Sequence, residues 1–332
     1  MAPERARAAF VFPGQGSQAP GMGCGLRESS AAAASVWQVA DASYGASLSD
    51  LVGAGSPEDL RPTDVQQPAI VAASVAAFAA FNETLGVDGA AVTANGYPVN
   101  VAAVAGHSVG LVSAVVAAGC TLVGEAVALV RDRGRFMATA AFEKPGRMAA
   151  VLGLDEPAVE SLTSAIRTET PGSYLSVANI NAPGQVVVAG DLVAIDRIVN
   201  EGRGAGARRV IPLNVGGAFH SVAMLPAQAA MRERLLAVGI DPPAAPVISN
   251  IDAGHLVDPS GIRAELANHI AAPVRWLDGV RAIEALGVRH IVEFGHGSVL
   301  TGMLRRTVKG IELHNVSDMA SARAAAAALT DG

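Results

Sequence analysis

Val101-Ala102-Ala103-Val104-Ala105 runs without interruption into Gly106-His107-Ser108-Val109-Gly110, and a second apolar run follows from Gly110 to Val123. A short apolar stretch that stops at glycine reads as a buried strand, and the longer run behind it reads as a helix. The pentapeptide between them has the form G-x-S-x-G. In that setting the serine sits on a sharp strand-to-helix turn, and the glycines remove side chains that would collide there. The helix opening behind it aims free N–H groups and a positive dipole end at developing negative charge. The backbone N–H of Val109 would be one donor to an oxyanion. A plain tight turn is the structural alternative in a protein with 36 glycines, but the strand before and the helix after favour Ser108 as a nucleophile.

Working outward, Ala8 to Phe12 reads as a strand ending at Pro13-Gly14. Ala31 to Ala40 and Ala69 to Leu85 read as helices, with Thr63-Asp64 as a start signal for the second, and Val123 to Met137 as an amphipathic helix. Alternating strands and helices predict an α/β core with a largely parallel sheet. From Gly146 the texture changes. Met148 to Leu154, Leu175 to Asn179, Gln185 to Ala189 and Arg208 to Leu213 read as strands. Glu156 to Arg167, capped near Asp155, and Leu192 to Asn200 read as helices, and Asn181 to Gly184 as a hairpin-like turn. That order is β-α-β-β-α-β, the ferredoxin-like unit. The expected division is a core of residues 1–145 and 214–332 with a subdomain of residues 146–213. Val247 to Asn250 and His290 to Phe294 read as further core strands, and Ser321 to Leu329 as a terminal helix.

Composition narrows the function. In 332 residues, 51% are hydrophobic, 16% charged and 4% aromatic, which excludes a disordered protein. A net charge of -6 argues against coating nucleic acid or an anionic membrane. The longest mainly apolar runs, Pro68 to Phe81 and Gly110 to Val123, fall short of the ~20 residues a bilayer requires and read as buried helices. The first residues contain no signal-peptide apolar region of useful length, so a cytoplasmic location is expected. Cys24 and Cys120 have no metal-type spacing, and no metal is expected. Gly14-x-Gly16 lacks the third glycine of a dinucleotide loop.

Serine needs a base. Of seven histidines, His220 in Gly216-Gly217-Ala218-Phe219-His220-Ser221 follows a predicted strand and precedes a helix, a good place to present one. His296 in Gly295-His296-Gly297-Ser298 is second on composition. His107 adjoins Ser108 and should point away; His255, His290 and His314 have no motif around them and read as surface or packing residues.

These residues resemble the malonyl-CoA:acyl carrier protein transacylase family, the acyltransferases of fatty acid and polyketide synthesis. Phe12 to Gln18 is similar to the family's FPGQGSQ, Gln67-Pro68-Ala69 to its Q-P-A segment, Gly106 to Gly110 to its GHSxG, and Arg133 to Met137 to its RGxxM. Asn181 to Gly190 is similar to its N-x-PGQ hairpin, and Gly217 to His220 to the GAFH of malonyl-type members. Pro273 to Trp276 and Val299 to Gly302 match late motifs. The resemblance implies an α/β-hydrolase-like core carrying a ferredoxin-like subdomain. It implies that Ser108 is acylated, that His220 is base and then acid, and that Gln15 and Val109 supply the oxyanion N–H pair. Arg133 would hold the malonyl carboxylate, while Arg131 and Arg135 read as surface residues. Phe219 and Val109 would flank the acyl pocket. Asn179 would line the cleft, or simply end a strand.

Three departures from the family pattern stand out. Leu111 replaces a common Glu and would alter the entrance or a local hydrogen bond; His296 replaces a common Pro; His269 replaces a common Gln. The backbone carbonyl at position 269 would still orient His220, and the His269 side chain would either add a second titrating group or be an ordinary hydrogen-bonded His. The implied reaction carries malonyl from malonyl-CoA through acyl-Ser108 to the phosphopantetheine thiol of an acyl carrier protein. No cofactor is required, since acyl-CoA is a substrate. The alternatives are a polyketide-pathway transferase for a substituted malonyl or other acyl group, and a carrier-protein acyl hydrolase. An acidic carrier would need a basic patch, for which Arg203, Arg208 and Arg209, or Arg305, Arg306 and Lys309, are candidates.

Overall fold

The computed structural model describes residues 7–92 and 97–330. Residues 1–6, part of the stretch expected to lack a targeting segment, lie outside the described residues. The strands are β1 (Arg7–Phe12), β2 (Asn100–Gly106), β3 (Arg147–Leu152), β4 (Leu175–Ala182), β5 (Gln185–Gly190), β6 (Arg209–Pro212), β7 (Val247–Ile248), β8 (His255–Leu256), β9 (His290–Phe294) and β10 (Glu312–Val316). Six of them form one sheet in the order β10-β9-β1-β2-β7-β8. All neighbours are parallel except the β7–β8 hairpin.

The near-continuous apolar runs of β1, β2 and β9 follow from burial on both faces, as a parallel sheet requires. Period-2 alternation sorts them. Phe10 and Phe12 project into a core with Phe78 and Phe81 of the Thr63–Thr84 helix and Phe294 of β9, where the rings pack at centroid distances from 5.0 to 6.4 Å. Ala9 and Val11 project the other way, against Val280, Ile283 and Leu300. The core is thus a three-layer α/β arrangement.

The remaining strands form an antiparallel sheet in the order β4-β5-β3-β6. Its apolar cluster includes Val151, Val188, Val159 and Ile198, the last two from the Glu156–Glu169 and Leu192–Glu201 helices. Asp155 and Asp191 cap those helices by accepting N–H bonds from Ala158 and Ala194. β4 runs three residues past its expected end at Asn179, leaving only Pro183-Gly184 in the turn. The extension closes the β4–β5 hairpin, Ile180 pairing with Val186 and Ala182 with Gln185, and Val274 bridges it from the other side: the Ile180 N–H donates to the Val274 carbonyl and the Val274 N–H to the Ala178 carbonyl.

The Thr63–Thr84 helix also exceeds expectation. Its 22 residues hold Pro68 inside rather than before the first turn. It is long and apolar enough to cross a membrane, but 83% of its most apolar window is buried inside the protein. It is a core helix: residues from Gln66 to Asn82 are buried on every side.

Candidate active site

The turn after β2 is under steric compulsion. A Cβ on Gly106 would lie 2.0 Å from the Gly110 carbonyl, and one on Gly110 would lie 2.2 Å from the Phe12 carbonyl oxygen. Ser108 has φ 51° and His220 φ 58°, a left-handed backbone that costs non-glycine residues on the order of 1–3 kcal/mol. Asn250, just past β7, holds the serine there. Its Oδ1 accepts the Ser108 N–H at 2.9 Å and its Nδ2 donates to the Gly106 carbonyl at 2.8 Å. Glu265 in turn accepts the Asn250 N–H at 2.6 Å and the Ser249 hydroxyl at 2.9 Å. Burial pushes the Glu265 carboxyl above the ordinary range against those bonds.

Ser108 Oγ lies 2.8 Å from His220 Nε2. Nδ1 of the same ring faces two carbonyls, His269 at 2.8 Å and Ala272 at 3.2 Å. Carbonyls only accept, so Nδ1 carries the proton and Nε2 presents its lone pair to the hydroxyl. Burial first, then the Arg133 cation, pull the His220 ring down to about 3, so it stands neutral at neutral pH.

Arg133, from the Val123–Glu143 helix, is fully buried. Nη1 donates to Gln67 Oε1 at 2.6 Å, and Nη2 lies 3.4 Å from Ser108 Oγ and 3.3 Å from His269 Nε2. His269 Nδ1 donates to the Glu265 carbonyl at 2.8 Å, which leaves Nε2 as an acceptor for the guanidinium. Among the described residues no carboxylate pairs with Arg133, and its Nε is buried with no hydrogen-bond partner. Desolvation pulls the guanidinium down to about 9.

A cleft of about 130 Å³ opens over Ser108 and His220. Gln15, Asn179 and Phe219 line it, with Met148 and Val187 from the small sheet opposite. Val109 does not flank it: the side chain is fully buried in the core, and only its backbone faces the turn. Among the described residues, neither the Gln15 nor the Val109 backbone N–H reaches a backbone acceptor. Arg133 and His269 lie behind the cleft rather than on its surface. His107, expected to point away, lines the cleft with Ser108, its Nε2 2.8 Å from Asn181 Oδ1. His296 is exposed and not part of the cleft. Leu111 is fully buried in the core, so its replacement of an acidic residue fills interior space rather than altering the entrance.

Sequence reasoning missed the role of Asn250, which carries no local signature, and gave Gln67 and Asn181 only as parts of motifs, without their partners Arg133 and His107, which lie far away in sequence. Arg131, expected at the surface, is half-buried instead. Its guanidinium donates to the Tyr44 carbonyl and sits 5.8 Å over the Tyr44 ring. Arg203, Arg208, Arg209, Arg305, Arg306 and Lys309 are all exposed. Arg306 donates to Gln185 Oε1 at 2.6 Å and to the Pro183 carbonyl at 3.0 Å, so it also ties the core to the β4–β5 turn.

A family model described as "Acyl transferase domain" matches residues 9–329. The malonyl CoA-acyl carrier protein transacylase of Bacillus subtilis (strain 168) is 36% identical over 310 residues, 93% of each protein. That of Escherichia coli (strain K12) is 36% identical over 317 residues, 95% of this protein and 98% of the other. The crystal structure of an acyl-carrier-protein-S-malonyltransferase from Bartonella henselae superposes with a TM-score of 0.90 at 37% identity, covering 97% of this protein and 99% of that one. A malonyl-transacylase solved in complex with its type II PKS acyl-carrier protein gives 0.88 at 34% identity, covering 98% and 100%. An activated serine, a buried unpaired cation behind it and end-to-end similarity agree: the chain belongs to the acyl transferase domain family, among the malonyl-CoA:acyl carrier protein transacylases.

Proposed function

We propose that this protein moves a malonyl group from malonyl-CoA to the phosphopantetheine thiol of an acyl carrier protein through malonyl-Ser108. The observation that carries the reading is Arg133, buried with no carboxylate partner, 3.4 Å from the serine oxygen. A buried cation left without its anion is costly, on the order of 3–5 kcal/mol. A malonyl group on Ser108 supplies that anion, and acetyl does not.

His220 Nε2 takes the Ser108 proton as Oγ attacks the thioester carbonyl. The N–H groups of Gln15 and Val109 receive the oxyanion, each such donor worth about 3 kcal/mol. The tetrahedral adduct collapses, the C–S bond breaks, and the leaving thiolate takes the proton back from Nε2. The carrier thiol then repeats these steps in reverse. His269 positions both partners, through its carbonyl on His220 and its ring on Arg133. Phe219 and Asn179 wall the acyl group. Only the protein's own groups are used, and acyl-CoA is consumed as substrate rather than kept as cofactor.

Residues 146–213 form a ferredoxin-like subdomain on an α/β-hydrolase-like core of residues 1–145 and 214–332. The separate β4-β5-β3-β6 sheet and its own apolar cluster support that division. The carrier docks on the two basic clusters. They flank one feature, the β4–β5 turn: Arg306 holds Pro183 on one side, while Gly184 accepts the Gly153 N–H at 2.8 Å and Gly153 packs on Arg208 on the other. A cytoplasmic location suits two free cysteines.

Mass spectrometry after mixing the protein with malonyl-CoA and acetyl-CoA tests the reading. A malonyl adduct on Ser108, absent in Ser108→Ala, is expected. Arg133→Ala should depress malonyl loading far more than acetyl loading; an equal fall in both would make Arg133 structural. Turnover that proceeds equally without carrier thiol would indicate a hydrolase instead.

A further inference from the structure

The sequence leaves His290 and His314 without a motif, yet the large sheet brings them together. β9 and β10 are parallel neighbours, and their register sets Glu312 beside His290. His314 lies two residues beyond Glu312, on the same face of edge strand β10. His290 Nδ1 is 3.2 Å from His314 Nε2, and Glu312 Oε2 is 3.6 Å from the first and 4.0 Å from the second. We propose that His290, Glu312 and His314 form a divalent-metal site, with zinc as its ion.

The spacing is the argument. Zinc bonds of about 2.0–2.1 Å in a tetrahedron place neighbouring ligand atoms about 3.3 Å apart. The three separations bracket that value, so small side-chain rotations close the triangle around one ion. Two imidazoles and one carboxylate are a ligand set zinc takes readily, with a fourth position left for water. The two ring nitrogens share one proton without metal; on binding both lone pairs turn to the ion, and the ring that held that proton carries one on its other nitrogen instead, so both bind as neutral imidazoles. The site is anchored and reachable at once: the side chains of His290 and His314 are 7% and 19% exposed, while Glu312 is 68% exposed and gives the ion an entry path. It lies at the start of β9 and β10, whereas Ser108 follows the end of parallel β2, so ion and acyl chemistry are separate.

The test uses the full-length protein, stripped with chelator and titrated with zinc chloride by calorimetry, with Co²⁺ substitution read by its ligand-field absorption. One equivalent should bind, and Co²⁺ should show tetrahedral bands. Zinc at 100 times its dissociation constant should lower the unfolding equilibrium constant about 100-fold. His314→Ala should weaken binding at least tenfold. Glu312→Gln, on an exposed edge where it leaves the fold intact, should do the same, with malonyl loading unchanged in both. The absence of saturable zinc binding, or one-equivalent binding that survives both substitutions, overturns the proposal.

Discussion

Asn250 spans the serine turn with its amide, accepting from Ser108 and donating to Gly106. Asn250→Ala leaves both backbone groups buried and unpaired, at about 1–3 kcal/mol each. Chemical denaturation should register about 2–4 kcal/mol of lost stability, and the acylation rate should fall as Ser108 relaxes from its left-handed backbone. A second prediction concerns acid. Burial holds His107, His220 and His269 below the ordinary histidine value, and Arg133 adds to the effect on the last two. As pH falls below about 6.5 the unfolded protein binds protons at these rings while the folded protein does not, so stability declines toward acid. Each ring contributes a slope of about 1.4 kcal/mol per pH unit until its folded form titrates. Burial of Glu265 and Glu293 raises their carboxyls and works in the opposite sense, as pH falls from their raised folded values to the ordinary carboxylate value. His269→Gln should therefore flatten the urea-denaturation slope between pH 6.5 and 5 by about one ring's worth. Ser108, His220 and Arg133 were legible because each sits in a short motif. Asn250 was not, and Gln67 was seen in a motif without its role, because what both do depends on segments that only the fold brings near.

The serine turn shows how elements enforce one another. A Cβ at Gly110 would meet the carbonyls of Phe12 and Pro13 at 2.2 and 2.6 Å, and those atoms belong to the end of β1 and its loop. Gly110→Ala should cost about 3 kcal/mol in chemical denaturation and slow malonyl loading, because the helix behind Ser108 can move away only by shifting the serine. Strand and helix identities in the core were readable from apolar runs and their period. Boundaries were less so. The helix expected from Ala69 begins at its start signal, Thr63, and holds Pro68 inside, since complete burial outweighs a lost hydrogen bond. β4 outran its expected end because its pairing with β5 continues to Ala182, with Val274, distant in sequence, bridging the other side. Histidines 290 and 314 were unreadable for the same reason: parallel register, not sequence spacing, sets them side by side.

At the scale of the whole molecule, a protein of net charge -6 can meet an acidic partner only through local basic surfaces. Charge reversal at Arg203, Arg208, Arg209, Arg305 and Lys309 together should raise the carrier KM about tenfold and leave loading from malonyl-CoA unchanged. Added salt should raise the wild-type carrier KM in the same direction, since exposed charges are screened beyond about 8–10 Å. Unchanged carrier kinetics in the reversed variant would remove these clusters as the docking face. Arg306 stands apart because it also holds Pro183 and Gln185. The ribbon it grips continues into Asn179 and Val187, which wall the acyl cleft. Grip at the rim and the fit of the chamber therefore share one ribbon, so a visitor that tugged the hairpin would also retune the room behind it.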